Sequence, residues 1–394
     1  MKTYWRLPRG VDELLPPDAW ELEALRRKVL DLFVSWGYDY IEPPVVEYLD
    51  ALLVGSGEDL DLQTLKAVDQ VTGKQLGVRA DMTSQAVRID AHSRVTDDIQ
   101  RLCYAGNVVF ANPQLTESSR VPIKAGAELF GSPSVEADAE VIGLMMAAVQ
   151  SAGVDNPVLL IGHMGIYRSL VADLVSAGEV FDESELFACI QRKSQADIAA
   201  LLPESTLAHM LVDLPSLMGD VESIGHARER LAGAGESVVA ALDELEQLAL
   251  LVRAKDGQVS VRIDVSELSG YGYHNGPVFA VYHPEHGRAL AQGGRYDGVG
   301  EAFGRARPAT GFDMDLKSLL SKIEQSQDII FAPSVRPTLA DESSEQLAKV
   351  AELRAAGERV RVALTDEEEI PKDCRRLLVV VDGSWQVIDR TENT

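Results

Sequence analysis

Several groupings in the chain have residue types and spacings that chemistry could use. Gly270-x-Gly272-x-x-x-Gly276 approaches a dinucleotide fingerprint, in which glycines bring the backbone close to a pyrophosphate at a helix N-terminus. Its spacing is one residue too long, and no strand-turn-helix unit of the right length surrounds it, so a dinucleotide site is not indicated. His283-x-Glu285-His286 offers metal-ligand side chains, yet Pro284 and Gly287 beside them read as an exposed turn. The run Asp366-Glu367-Glu368-Glu369 reads as a solvated loop. Cys103, Cys189 and Cys374 are widely spaced and form no Cys-x-x-Cys, which predicts buried free thiols and neither a disulfide framework nor a zinc ribbon. Gly-x-x-x-x-Gly-Lys-Ser/Thr, His-Glu-x-x-His and Gly-x-Ser-x-Gly are all missing, so the common nucleotide-loop and hydrolase chemistries lack support.

The bulk properties narrow the partners. With 62 Asp plus Glu against 37 Lys plus Arg, the formal charge is -25, whereas phosphate binding needs clustered cations. A nucleic-acid partner is therefore not expected. No apolar run approaches the roughly 18 residues of a membrane span, and the first residues lack an apolar stretch with a small-residue cleavage site. The expectation is a cytoplasmic protein without membrane contact. At 394 residues the chain suits one large domain with smaller additions.

Positioning elements follow from periodicity. Leu22, Leu25, Val29, Leu32 and Phe33 recur at helical spacing, and Gly37 supplies a stop. Extended pieces are predicted at 38–41 and 45–47, with a hairpin over 63–79 turning at Thr72-Gly73-Lys74. A helix over 83–91, strands at 102–110 and 124–130, and a helix over 136–151 come next. The pattern over 165–253 is helical almost throughout and predicts an inserted helical lobe, after which strands return at 259–265, 278–282 and 289–292. Residues 311–323 read as a glycine-led helix. Beyond a linker near Pro333 and Pro337, a helix over 345–356 and strands at 360–364 and 377–381 predict a small C-terminal α/β module over 326–394.

Five ordered segments resemble the class II core of the histidyl-tRNA synthetase family, over about residues 5–325. They are Leu7-Pro8-Arg9-Gly10 with Gly37-Tyr38-x-x-Ile41-x-x-Pro44; Val78-Arg79-Ala80-Asp81-Met82-Thr83; Gln100 to Gly106 through Gly126-x-Glu128-Leu129-Phe130-Gly131; Gly293-Gly294-Arg295-Tyr296-Asp297, which looks like that family's pocket glycine loop; and Gly311-Phe312-x-Met314-x-Leu316. The resemblance implies an α+β fold: an antiparallel sheet flanked by helices, with a dimer interface built by the first segment. By the same resemblance, Asp81 and Thr83 match an ammonium-binding pair. Glu128 matches the pocket glutamate, Tyr273, His274 and Tyr296 match aromatic wall positions, and Gly293 and Gly294 lie in the glycine loop. Lys124 stands where that family has a pocket glutamine.

The departures fall on arginines. Adenylate chemistry develops negative charge that preorganised cations must meet, but the corresponding positions hold Phe110, Ser269 and Ser318. Arg120 remains in the 111–121 loop as a ligand contact or a loop brace. Residues 345–364 resemble the start of an anticodon-binding domain, of which the tail looks like a reduced relic. Together these features resemble the regulatory subunits of ATP phosphoribosyltransferase. That likeness implies a chain without catalysis or cofactor, assembled with a short-form catalytic subunit and with L-histidine as effector, as a homodimer within a hetero-oligomer. A divergent histidyl-tRNA synthetase and a free histidine-binding sensor are the alternatives; the Phe110, Ser269, Ser318 set argues against the first, and a co-purifying partner would exclude the second.

Overall fold

The computed structural model describes residues 6–54, 58–112, 119–255, 259–270, 272–320, 329–335, 340–371 and 374–390. The chain forms two compact units, residues 1–14 with 22–323 and residues 15–21 with 324–394.

The first unit is built on a nine-stranded sheet, ordered β1-β5-β6-β12-β11-β10-β7-β9-β8. In chain order these strands are β1 (Asp39–Tyr40), β5 (Gln100–Asn107), β6 (Ile123–Phe130), β7 (Val158–His163), β8 (Met218–Gly219), β9 (Ser260–Asp264), β10 (Pro277–Tyr282), β11 (Ala291–Arg295) and β12 (Ala309–Asp315). Pairing is antiparallel from β5 through to β7, while β1 with β5 and β7 with β9 are parallel. A separate three-stranded sheet holds β2 (Val46–Tyr48), β4 (Gln75–Val78) and β3 (Leu65–Val68), and its β3–β4 hairpin turns through Gly73 at φ 73°. The α+β class II synthetase-like architecture is as the motifs implied.

The helix Asp18–Ser35 shows how packing follows spacing. Leu22, Leu25, Val29 and Phe33 form its buried stripe, and the ring of Phe33 meets Phe312 of β12 edge-on at 5.8 Å. Removing each such side chain from water stabilises by about 1.5–3 kcal/mol. Gly37 ends the helix at φ 85°, a conformation that costs a Cβ-bearing residue more. The helix Val135–Ser151 covers the same sheet with Val141, Ile142, Leu144, Met145 and Ala148, all fully buried.

Three expectations need correction. Residues 309–315 are the central strand β12 and not a helix, with the helix Leu316–Leu319 following it and 321–323 outside the described residues; hydrogen bonding to β6 on one side and β11 on the other outweighs the helix-like spacing of Phe312, Leu316 and Leu319. The stretch Val158–His163 was not anticipated as a strand, yet β7 lies between β10 and β9. The supposed glycine loop is part of β11, which runs through Arg295. The segment over 165–253 is largely helical, from Met164–Ser176 to Glu236–Lys255; it shares one apolar core with the main sheet and lies within the first unit. Its only described strand, β8, pairs with β9 at the sheet edge.

The second unit pairs the helix Ala340–Ala355 with a sheet ordered β14-β13-β15-β16, namely Val360–Val362, Ile330–Ala332, Arg376–Val381 and Ser384–Asp389. Ile330, Ala332, Val350 and Leu378 form its buried centre. β13 and β16 were not anticipated.

Candidate functional site

Strand register builds the site. Leu102 of β5 is opposite Glu128 of β6, Glu128 opposite Gly311 of β12, Gly311 opposite Gly294 of β11, and Gly294 opposite Val278 of β10. On the face this row shares, Glu128 projects over two strands that carry no side chain beside it. A Cβ on Gly311 would overlap Glu128 Oε2, and one on Gly294 would lie 2.8 Å from the Pro277 carbonyl and 2.9 Å from His274 Cδ2. The glycines therefore clear the floor of a cleft of about 690 Å³, lined by Asp81, Thr83, Glu128, Glu267, Tyr273, His274, Gln292, Gly293, Tyr296, Gly311 and Asp313, among others.

Glu128 is the centre of its polar network. Tyr104 Oη donates to Glu128 Oε1 at 2.8 Å, Tyr296 Oη donates to Oε2, and Thr83 Oγ1 lies 3.2 Å from the Tyr104 hydroxyl. Burial pushes the Glu128 carboxyl up to about 8, against the two hydroxyls that favour its charged form. Asp81 is also raised, first by burial and then by Asp313, although its Oδ1 accepts from the Met82 N–H at 2.7 Å. Burial lowers His274 to about 4, so its imidazole is neutral at ordinary pH, with Nδ1 3.2 Å from the Ser269 carbonyl. The Tyr273 and Tyr296 rings lie 4.9 Å apart, and burial keeps both phenols protonated. Tyr273 Oη is buried and has no hydrogen-bond partner among the described residues. Such an orphan donor is costly unless a ligand meets it. This set can hold a small molecule with an ammonium group at Asp81 and Asp313 and a polar ring among Glu128 and the tyrosines.

The structure brings Asp81, Thr83, Glu128, Tyr273, His274, Gly293 and Tyr296 together. Gly294 stands apart, contributing space under His274 instead of a wall. Tyr104, Glu267, Gln292, Gly311 and Asp313 were not foreseen. Tyr104 and Asp313 both face Gly126, two residues before Glu128 on the same side of β6, a placement that only strand register reveals. Arg295, two residues after Gly293, is structural; its guanidinium donates to Asp138 Oδ2 at 2.8 Å and to the Ser132 and Ser134 carbonyls, fastening β11 to the Val135–Ser151 helix.

A second cleft of about 1220 Å³ adjoins the first, and Gln292 and Asp313 line both. Phe110 and Ser318, two of the positions without arginine, line this cleft, and Ser269, the third, lines the first. Among the described residues, the cations lining this second cleft are Lys124, Arg288 and Lys317, against the carboxylates Asp12, Asp313 and Asp315. Each cation is engaged. Lys124 Nζ lies 2.5 Å from Asp313, Lys317 Nζ lies 3.0 Å from Asp12, and Arg288 donates at 2.9 Å to Ser318 Oγ, which donates to Asp315 at 2.8 Å. Arg120 braces a loop: its side chain donates to the carbonyls of Phe110 at 2.9 Å and Arg9 at 3.2 Å. At His283-x-Glu285-His286 the His286 N–H closes a turn onto the His283 carbonyl at 2.8 Å, and Glu368 in the acidic run pairs with Arg361 at 2.7 Å. Among the described residues no helix is long and apolar enough to cross a membrane.

The fold and the pocket define a chain of the histidyl-tRNA synthetase type: the family model described as histidyl-tRNA synthetase matches residues 10–319. The crystal structure of a histidyl-tRNA synthetase from Nostoc sp. PCC 7120 shares this fold at TM-score 0.75 and 17% identity, over 98% of this chain and 97% of that one. The model of the ATP phosphoribosyltransferase subunit HisZ C-terminal domain matches residues 327–388. Proteins of Chromohalobacter salexigens and Pseudomonas syringae pv. syringae, each named ATP phosphoribosyltransferase regulatory subunit, are 46% identical over 392 and 391 residues, covering 97% and 98% of this chain and 98% of each relative. A Bacillus halodurans structure titled as an ATP phosphoribosyltransferase regulatory subunit/histidyl-tRNA synthetase superposes at TM-score 0.80 with 27% identity, over 93% of this chain and 94% of that one. The chain belongs to the family of ATP phosphoribosyltransferase regulatory subunits.

Proposed function

We propose that this chain is the non-catalytic regulatory subunit of a cytoplasmic ATP phosphoribosyltransferase, acting as a homodimer within a hetero-oligomer. It joins a short-form catalytic subunit for the first step of L-histidine biosynthesis, and L-histidine seated among Asp81, Thr83, Glu128, Tyr273, His274 and Tyr296 is the feedback inhibitor. The observation that carries this reading is the contrast at the paired clefts: a pocket able to hold an amino acid opens beside a second cleft whose cations are all engaged by carboxylates or a hydroxyl. An adenylating enzyme needs those cations for phosphate. Linkage requires an inhibitor to bind the inactive arrangement of the complex more tightly than the active one.

Mixing the chain with its short-form catalytic subunit is expected to raise phosphoribosyl transfer, and L-histidine is expected to inhibit the mixture far more strongly than the catalytic subunit alone. Asp81→Ala is expected to blunt inhibition and preserve activation, because it removes a carboxylate of the pocket and leaves the rest of the surface intact. Equal inhibition with and without this chain would overturn the proposal.

A further inference from the structure

The amino-acid pocket has a charge problem. Its described lining carries four carboxylates, Asp81, Glu128, Glu267 and Asp313, and no lysine or arginine. A free amino acid brings a fifth carboxylate into this low-dielectric space, where an unpaired charge is strongly disfavoured. Ser269 offers no cation, and its hydroxyl is bonded to Glu267 Oε1 at 2.5 Å. Arg168 is exposed and donates to the His274 carbonyl at 3.0 Å.

The remaining cation is in the wall. Lys124 of β6 faces Asp315 of β12, and Asp313 faces Gly126, so both side chains leave adjacent strands on the same face. Lys124 Nζ lies 2.5 Å from Asp313 Oδ1, and Asp313 is common to both clefts. Burial alone would lower the ammonium's pKa; Asp313, Asp315 and Asp81 outweigh it and keep Lys124 charged.

We infer that Lys124 and Asp313 form a clamp for the α-amino-acid zwitterion: the ligand's ammonium replaces Lys124 against Asp313 and Asp81, and the released Lys124 pairs with the ligand's carboxylate. The inference rests on the pocket being an amino-acid site and adds the group that reads the carboxylate. One partly buried ion pair becomes two, so no charge is stranded by the exchange. An amine without a carboxylate must compete with Lys124 for Asp313 and gives Lys124 no new partner. The clamp therefore selects the intact amino acid over its amine analogues.

Titration calorimetry on the full-length chain with L-histidine and L-histidinol, whose hydroxymethyl group replaces the carboxylate, tests this. The wild type is expected to prefer L-histidine. Lys124→Met is expected to weaken L-histidine by about tenfold to a hundredfold, the usual effect of losing a bond to a charged group. Its affinity for L-histidinol is expected to hold or rise, because Asp313 is then unpaired. Lys124→Arg is expected to retain the preference, and Lys124→Gln provides the neutral variant with a polar head if the methionine variant does not fold. A preference for L-histidine unchanged in the neutral variant, or an equal fall for both ligands, overturns the clamp and leaves the pocket's reading standing. A wild-type chain that binds neither ligand overturns both.

Discussion

The two clefts share Gln292 and Asp313 and are framed by the same strands, yet they treat charge in opposite ways. The first cleft concentrates carboxyl groups and leaves Tyr273 Oη without a partner among the described residues. Along the described lining of its neighbour, Lys124 meets Asp313, Lys317 meets Asp12 and Arg288 meets the Ser318 hydroxyl. The wider cleft stays open although Leu14, Phe110, Leu290, Met314 and Leu320 line it. Phosphate oxygens entering the wider cleft would have to displace Asp313 from Lys124, Asp12 from Lys317 and the Ser318 hydroxyl from Arg288.

The largest expected effect would break this contrast if it failed. The isolated chain is expected to give histidine-dependent ATP–pyrophosphate exchange at the level of a no-enzyme blank, since each absent donor typically costs about a hundredfold to a thousandfold in rate. Exchange above that blank would make the two clefts alike in function. A smaller effect sharpens the pocket side. Glu128→Ala is expected to weaken L-histidine binding in calorimetry by about tenfold to a hundredfold, and Tyr273→Phe by about threefold to tenfold, the scale of one neutral hydrogen bond. Unchanged affinity in both would move the ligand out of this pocket.

A different effect is a pH dependence of stability without ligand. The Glu128 carboxyl is raised from 4.5 to about 8 in the folded chain, so the folded state holds the proton more tightly than the unfolded one. Its stabilising contribution is complete below 4.5 and is lost as pH rises through about 8. Glu128→Gln carries no such loss. The Tm of the variant relative to wild type is therefore expected to climb across that window and to level off above it, and a flat difference would mean that Glu128 is ionised throughout.

Much of the candidate pocket was legible only through the resemblance to the histidyl-tRNA synthetase family, which is carried by short segments. Asp81 and Thr83 lie two apart, Tyr273 and His274 are adjacent, and Glu128 stands in a strand with clear boundaries. What escaped depends on register between strands distant in the chain. Asp313 and Gly311 belong to the pocket because β12 runs antiparallel to β6, a pairing with no local signature, and the helix-like spacing of Phe312, Leu316 and Leu319 pointed elsewhere. β7 escaped for a related reason: Val158–His163 is a short apolar run buried among other strands, and periodicity does not distinguish it from a helix segment. The neutralised cleft was half legible. The missing arginines could be seen in the sequence, but the engagement of Lys124, Lys317 and Arg288 could not, because Asp12 reaches Lys317 from the opposite end of the unit's chain.

The two-residue strand Met218–Gly219 closes the far edge of the nine-stranded sheet by pairing with Ile263 and Asp264. A chain shortened by excising the helices between β7 and β9 would bare the amides and carbonyls of β9 and uncover Val261 and Ile263, both now buried. Such an edge is a template for strand addition between copies. The helical segment, part of the core, thus also covers the end of this edge through β8, and a minimised version of this protein is expected to need a charged or proline-bearing replacement edge to stay monodisperse.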